Sequence, residues 1–245
     1  MTLTGQAAFV TGGSRGIGRA IARGLAEAGA DVAITYQRSA EQARSVVDEI
    51  TAMGLRGLAL RAENADPDAV AGAVHRAAGE FGRLDVLVNN AGIFPVAKID
   101  EVSVAEIDTT LAAHVRAVLV ASQAAIRHMG AGGRIISIGS SLAERVPYPG
   151  VSLYSASKAA LVGLTRGLAR DLGERGITAV LVNAGSTDTE MNPADGPDGA
   201  AERALTALGR YNAPEDIAAT VVHLAGPAGA NITGTTITID AGASA

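Results

Sequence analysis

The sequence predicts an α/β fold: a doubly wound parallel sheet of about seven strands with helices on both faces. Three observations predict it. Short apolar runs alternate with longer stretches of helical periodicity along the whole chain. The runs are nearly continuous in apolar character, as strands buried on both faces must be. A glycine-rich turn separates the first run from the first helical stretch. The expected strands are 7–11, 31–36, 56–60, 84–88, 134–138, 178–182 and 235–239, and the expected helices are 17–28, 40–53, 67–81, 104–129, 153–175 and 214–224. No linker or internal repeat divides the chain, so residues 1–245 read as a single dinucleotide-binding and catalytic domain. The Pro/Gly-rich stretch Met191-Asn192-Pro193-Ala194-Asp195-Gly196-Pro197-Asp198-Gly199 follows a strand directly. Open α/β sheets bind ligands there, so about 186–210 are expected to form a substrate lid.

The turn after the first strand reads Thr11-Gly12-Gly13-Ser14-Arg15-Gly16-Ile17-Gly18. Gly12 permits a tight turn, Gly16 a close approach of backbone to pyrophosphate, and Gly18 close packing of the helix on the sheet. The helix N-terminus then offers free N–H groups and the positive end of its dipole to phosphate. A glycine pattern alone is weak evidence. Its place between strand and helix makes this a Rossmann-type nucleotide site.

Bulk properties exclude other classes. The 245 residues are 48% hydrophobic, with a formal net charge of −5 and no cysteine; the mean hydropathy is +0.24. The acidic balance argues against a nucleic-acid partner. Absence of cysteine excludes disulfides and thiol chemistry. No signal-like N-terminus or long apolar span is present, so the expectation is a cytoplasmic protein with no membrane partner.

Four motifs together resemble the short-chain dehydrogenase/reductase family. The glycine turn is similar to its TGxxxGIG, Asn89-Asn90-Ala91-Gly92 to its NNAG, and Tyr154-Ser155-Ala156-Ser157-Lys158 to its YxxxK; Asp240-Ala241-Gly242 stands where a DGG is common. The likeness spans the chain and is nearest to 3-oxoacyl-carrier-protein reductase-like and naphthol-reductase-like members. It implies an oxidoreductase working on a small carbonyl or alcohol, assembled as a homotetramer or homodimer. It also implies that Asn90, Ala91 and Gly92 border the nucleotide, that Lys158 holds the nicotinamide ribose, and that Gly185, Thr187 and Thr189 lie at the nicotinamide.

The second strand ends Thr35-Tyr36-Gln37-Arg38-Ser39, without the acid that would take the ribose hydroxyls of NAD. Arg38 and Ser39, beside Tyr36, suit a 2′-phosphate, and Arg15 can reach the same group. The expected cofactor is therefore NADP(H). Tyr154 and Lys158, four apart on a helix, share a face. An ammonium near a phenol, whose reference pKa is about 10, favours proton exchange near neutral pH. Ser140 or Ser141 is expected to polarise the substrate oxygen. Ser141 lies 13 residues before Tyr154, the commonest spacing in the family, and Ser140 lies 14 before it, as in naphthol-reductase-like members. Strand phase favours Ser140.

Three departures from the family pattern stand out. His114 takes the place of an asparagine that anchors a relay water, so it reads either as a proton relay or as a packed core histidine. Ala184 replaces a proline. Glu63, followed by Asn64, replaces an aspartate near the adenine. These departures also support an alternative from another class, a cofactor-binding sensor or assembly subunit with little catalysis. A dehalogenase or dehydratase on the same scaffold is a third reading, and the retained glycines weigh against the dehalogenase.

Overall fold

The structure is a computed structural model describing residues 2–245. Seven strands, β1 (Ala7–Val10), β2 (Asp31–Tyr36), β3 (Gly57–Arg61), β4 (Val86–Asn89), β5 (Arg134–Ser140), β6 (Thr178–Ala184) and β7 (Thr235–Ile239), form one sheet in the order β3-β2-β1-β4-β5-β6-β7. Every pair is parallel. The helices are α1 (Gly16–Glu27), α2 (Ala40–Ala52), α3 (Pro67–Phe81), α4 (Val104–Leu111), α5 (Ala117–Ala125), α6 (Ser152–Leu172), α7 (Gly199–Ala204) and α8 (Pro214–Ala225).

Period-two alternation splits the strand side chains between two cores. Ala8, Val10, Val32, Ile34, Ile136 and Val182 pack with α1, α2 and α8 on one face. Ala7, Phe9, Ala33, Leu87, Ile135 and Ala179 pack with α3, α5 and the end of α6 on the other. Both sets are apolar, so the strands read as continuous hydrophobic runs. Local signals fix the helix ends. Asp66 caps α3, its carboxylate accepting from the N–H of Asp68 (3.0 Å) and Ala69 (3.2 Å). Pro67 opens that helix and Gly82, at φ 75°, closes it. Ser103 and Glu106 form a capping box at α4.

One expectation is corrected. The stretch 104–129, read as one helix, is α4 and α5 joined by a π-helical turn over Ala112–Arg116. The turn changes the hydrogen-bond register by one residue and leaves the apolar pattern unchanged. The stretch 186–210, expected to form a lid, contains the short helix α7.

Strand order reverses between β1 and β4, which opens a crevice at the carboxyl ends of the strands. Among the described residues no helix is long and apolar enough to cross a membrane.

Candidate active site

One cavity of about 1060 Å³ runs along that crevice. It begins at the β1–α1 turn. Gly12 adopts φ +65°, and a Cβ there would lie 3.0 Å from Ala91 Cα. Its N–H donates to Thr35 Oγ1 (2.9 Å). Thr11 Oγ1 accepts from the N–H groups of Asn90 (2.9 Å) and Ala91 (3.0 Å). The Asn90 amide donates to the carbonyls of Thr11 and Gly12, both at 3.0 Å. Asn90 therefore ties β4 to the glycine turn, and Ala91 and Gly92 carry the wall onward.

Gly18 is needed for a different reason from the expected one. A Cβ there would lie 2.2 Å from the Gly12 carbonyl oxygen and 2.4 Å from Asn90 Nδ2, so its neighbour is the turn itself. Gly16 starts α1 at φ +52° with Thr189 across from it. Arg15, the N-cap, makes no side-chain cap, and the first turn carries no acid. The leading N–H groups of α1 are thus free of protein acceptors, and Ser14, Gly16, Ile17 and Gly18 line the cavity. A cradle that a Cβ would fill, with unpaired donors at its rim, fits a pyrophosphate.

Further along, Tyr36, Arg38 and Ser39 line the same wall. Arg15 and Arg38 are exposed, and no described carboxylate pairs with either. Asn64 lines the cavity, while its amide donates to the Ala113 carbonyl (2.6 Å). Glu63 is exposed and outside the lining. Beyond β3 the chain keeps its alternation, so Ala62 and Asn64 turn inward and Glu63 turns out.

The chemical end is built from β5 and α6. β5 continues to Ser140, which pairs in register with Ala184. Ser140 Oγ accepts from the Leu142 N–H (3.2 Å) and hydrogen-bonds the Tyr154 phenol. Tyr154 and Lys158 stand one turn apart in the first half of α6. Burial pushes the Tyr154 phenol above its ordinary value, and the Ser140 hydrogen bond pulls the other way. The ammonium does not win that contest as the sequence suggested. Lys158 Nζ lies 5.8 Å from the Tyr154 ring centre and donates to the Ile138 carbonyl (3.0 Å). Burial pushes Lys158 down to about 8. Thr187 donates its hydroxyl to the Gly185 carbonyl (2.9 Å), and Gly185, Thr187 and Thr189 close the cavity beyond β6. Gly185 itself must be glycine, since a Cβ there would lie 2.5 Å from Asp240.

His114 sits behind the cavity, buried in the π-turn. The Ile93 N–H donates to its Nε2 at 2.9 Å, so Nδ1 carries the proton and donates to Ser157 Oγ at 2.8 Å. Ser157 in turn donates to the Tyr154 carbonyl (2.6 Å). Both ring nitrogens are occupied, leaving none to hold a relay water. The geometry is that of the packed histidine. Burial, then the Lys158 charge, push the ring down to about 3. A base lowered from 6.5 binds fewer protons folded than unfolded, so its contribution to stability is full above about 6.5 and is lost as pH falls toward 3. We expect the acid unfolding of the wild type to include a contribution of up to roughly 5 kcal/mol over that window. His114→Asn should flatten it, as read by circular dichroism in urea at several pH values. Equal slopes for the two proteins would remove His114 from the account.

The far end of the cavity is formed by residues that the motifs did not mark. Tyr148, Ser186, Asn192 and Glu202 line it. The hydroxyls of Ser186 and Tyr148 both hydrogen-bond the Glu202 carboxylate. Position in the expected lid was the only sequence signal for Ser186, Asn192 and Glu202.

Comparison with known proteins agrees with the fold. Residues 6–199 match the family model described as short chain dehydrogenase. A short chain dehydrogenase from Burkholderia cenocepacia J2315, solved in complex with NADP, is 58% identical with a TM-score of 0.99, each chain covering 100% of the other. The cyclic-di-GMP-binding biofilm dispersal mediator protein of Escherichia coli K12 is 42% identical over 97% of this chain and 96% of its own. The 3-oxoacyl-[acyl-carrier-protein] reductase FabG of Staphylococcus aureus is 40% identical over 97% of each. The chain belongs to the short-chain dehydrogenase/reductase family of oxidoreductases.

Proposed function

We propose that the protein is an NADP(H)-dependent ketoreductase or alcohol dehydrogenase acting on a small-molecule substrate. The observation that carries this reading is the group Ser140, Tyr154 and Lys158 inside the same cavity that begins at the glycine turn. The residues present fit the cofactor. Gly12, Ser14, Gly16, Ile17 and Gly18 would hold its pyrophosphate, and Arg15, Tyr36, Arg38 and Ser39 its adenosine 2′-phosphate end. Asn64, Asn90, Ala91 and Gly92 would border the middle, and Lys158, Gly185, Thr187 and Thr189 the nicotinamide end. When bound, the cofactor supplies or accepts the hydride.

The protein's part is to position the substrate and move the proton. A buried, protonated Tyr154 donates from its phenol oxygen to the substrate oxygen during reduction and takes the proton back during oxidation. The Ser140 hydroxyl donates to that same oxygen and orients it. Lys158, positive below about pH 8, favours the phenolate left on Tyr154. Segment 186–210 closes over the substrate and excludes water.

The test is consumption of NADPH with a panel of ketones, against NADH at equal concentration. NADPH should be preferred. Arg38→Asp should weaken NADPH binding by about 10–100-fold, the range for a lost charge-assisted hydrogen bond, and shift preference toward NADH. Tighter NADH binding by the wild type would overturn the cofactor assignment.

A second reading, a sensor with little catalysis, draws on the Escherichia coli relative that binds cyclic-di-GMP. Calorimetric binding of that dinucleotide, with no turnover of any ketone, would replace the reductase reading.

A further inference from the structure

The cavity end beyond Tyr154 holds a carboxylate with an arrangement of its own. Glu202 lies on α7 and faces the cavity. Ser186, just past β6, donates its hydroxyl to Glu202 Oε2. Tyr148, from the loop between β5 and α6, hydrogen-bonds the same carboxylate and stands within electrostatic range of Tyr154. Tyr148, Tyr154 and Glu202 all line the one cavity. Burial, then Glu202, hold the Tyr148 phenol above its ordinary value, so Tyr148 keeps its proton and donates it to Glu202. A carboxylate has about four acceptor positions, and two hydroxyls fill only two of them. Arg145, a cation in the lining, donates to the Ala243 carbonyl. Arg203, next to Glu202 in sequence, donates to the Ala194 carbonyl at 2.6 Å. Among the described residues no ion pair joins Glu202 to either arginine.

We propose that Glu202 determines substrate specificity: it accepts a hydrogen bond from a donor group, a hydroxyl or a protonated amine, that the substrate carries beside its carbonyl, and it disfavours ketones bearing carboxylate or phosphate. This rests on the reductase reading and deepens it. Glu202 is half-buried in the cavity wall, so its charge acts on a group placed a few ångströms away with less screening than in open water. An acid-bearing ketone would also leave Glu202 facing a like charge, a repulsive element that discriminates as effectively as the attractive one.

A different role is open to the same residue. Glu202 joins α7 to Ser186 and Tyr148, so it could serve purely as a latch for segment 186–210. The two roles separate by experiment. Four ketones of similar size are compared with NADPH: one plain, one with a hydroxyl beside the carbonyl, one with an amine there, one with a carboxylate. The readout is kcat/KM for the wild type, Glu202→Gln and Ser186→Ala. The wild type should favour the hydroxy and amino ketones over the acid by about tenfold or more, the scale of a hydrogen bond to a charged group. Glu202→Gln should compress that ratio. Ser186→Ala, which loosens the latch and keeps the charge, should preserve it. A wild type that prefers the acid, a ratio unchanged in Glu202→Gln, or a uniform loss on all four ketones would each overturn the proposal. If the wild type reduces none of them, the reductase reading fails on its own. The same four compounds are then titrated into the enzyme–NADPH complex, read by nicotinamide fluorescence. Equal binding of acid and amine there would dispose of the Glu202 role too.

Discussion

Tyr154→Phe is expected to lower kcat for ketone reduction by at least ~10²-fold, the lower bound of what a positioned general acid contributes. The ring stays, and with it the edge contacts to Phe94 at 4.8 Å and His114 at 5.6 Å between centroids. Packing is thus retained, and the loss should fall on turnover, with NADPH affinity changed little. Stopped-flow reduction with saturating ketone, beside fluorescence titration of NADPH, separates the two. A turnover within tenfold of the wild type would mean that the proton comes from elsewhere. The alkaline limb offers an internal control. Lys158, lowered to about 8, should lose its charge as pH passes that value, and reduction should slow. Folding stability of the cofactor-free protein should move the opposite way. A lysine lowered in the fold binds fewer protons than in the unfolded chain, so stability rises with pH between about 8 and 10.

The second large effect is expected at Gly18. Alanine there would place a methyl carbon 2.2 Å from the Gly12 carbonyl oxygen and 2.4 Å from Asn90 Nδ2, and neither neighbour is a flexible side-chain end. Asn90 is pinned by its bonds to Thr11 and Gly12. The turn must therefore shift, at about 1–3 kcal/mol for an overpacked site. The shift moves the N–H groups that face the phosphates, so NADPH affinity should fall by about 10–100-fold, with a lower melting temperature. Gly163→Ala is the matched control, since a Cβ there meets nothing within 4 Å. Unaltered NADPH binding in Gly18→Ala would show that the turn has slack absent from this geometry.

How far the sequence reveals this site depends on how local each signal is. The glycine turn, the Tyr154/Lys158 pair and the strand pattern are set by residues within a few positions of one another, and they are readable. The choice of Ser140 over Ser141 was open on spacing alone and rested on strand phase. The structure carries β5 to Ser140 and bonds that residue to the phenol. Glu63 lies past the strand end, where period-two alternation turns it outward from the lining. The π-turn escapes any reading of apolar periodicity, because it alters hydrogen-bond register inside a stretch already apolar. His114 is set by the Ile93 N–H, 21 residues back in the chain, and by Ser157, 43 residues on. No spacing rule links those positions. Glu202 is harder still, lying on a six-residue helix in a segment rich in Gly, Pro and Asp.

The two ends of the cavity come from different kinds of structure. Ser140 ends a central strand, and Tyr154 and Lys158 belong to a 21-residue helix packed beside it. Tyr148, Ser186 and Glu202 belong to connecting segments and a short helix. Substitutions at the second set touch neither the sheet nor either large core. A lineage carrying this scaffold can therefore drift in what it accepts while its chemistry stays fixed. A directed library confined to 145–150 and 190–210, which spares Thr187, Thr189 and the Glu144 bonds to β6 and β7, would sample new substrates at little risk to the turnover machinery.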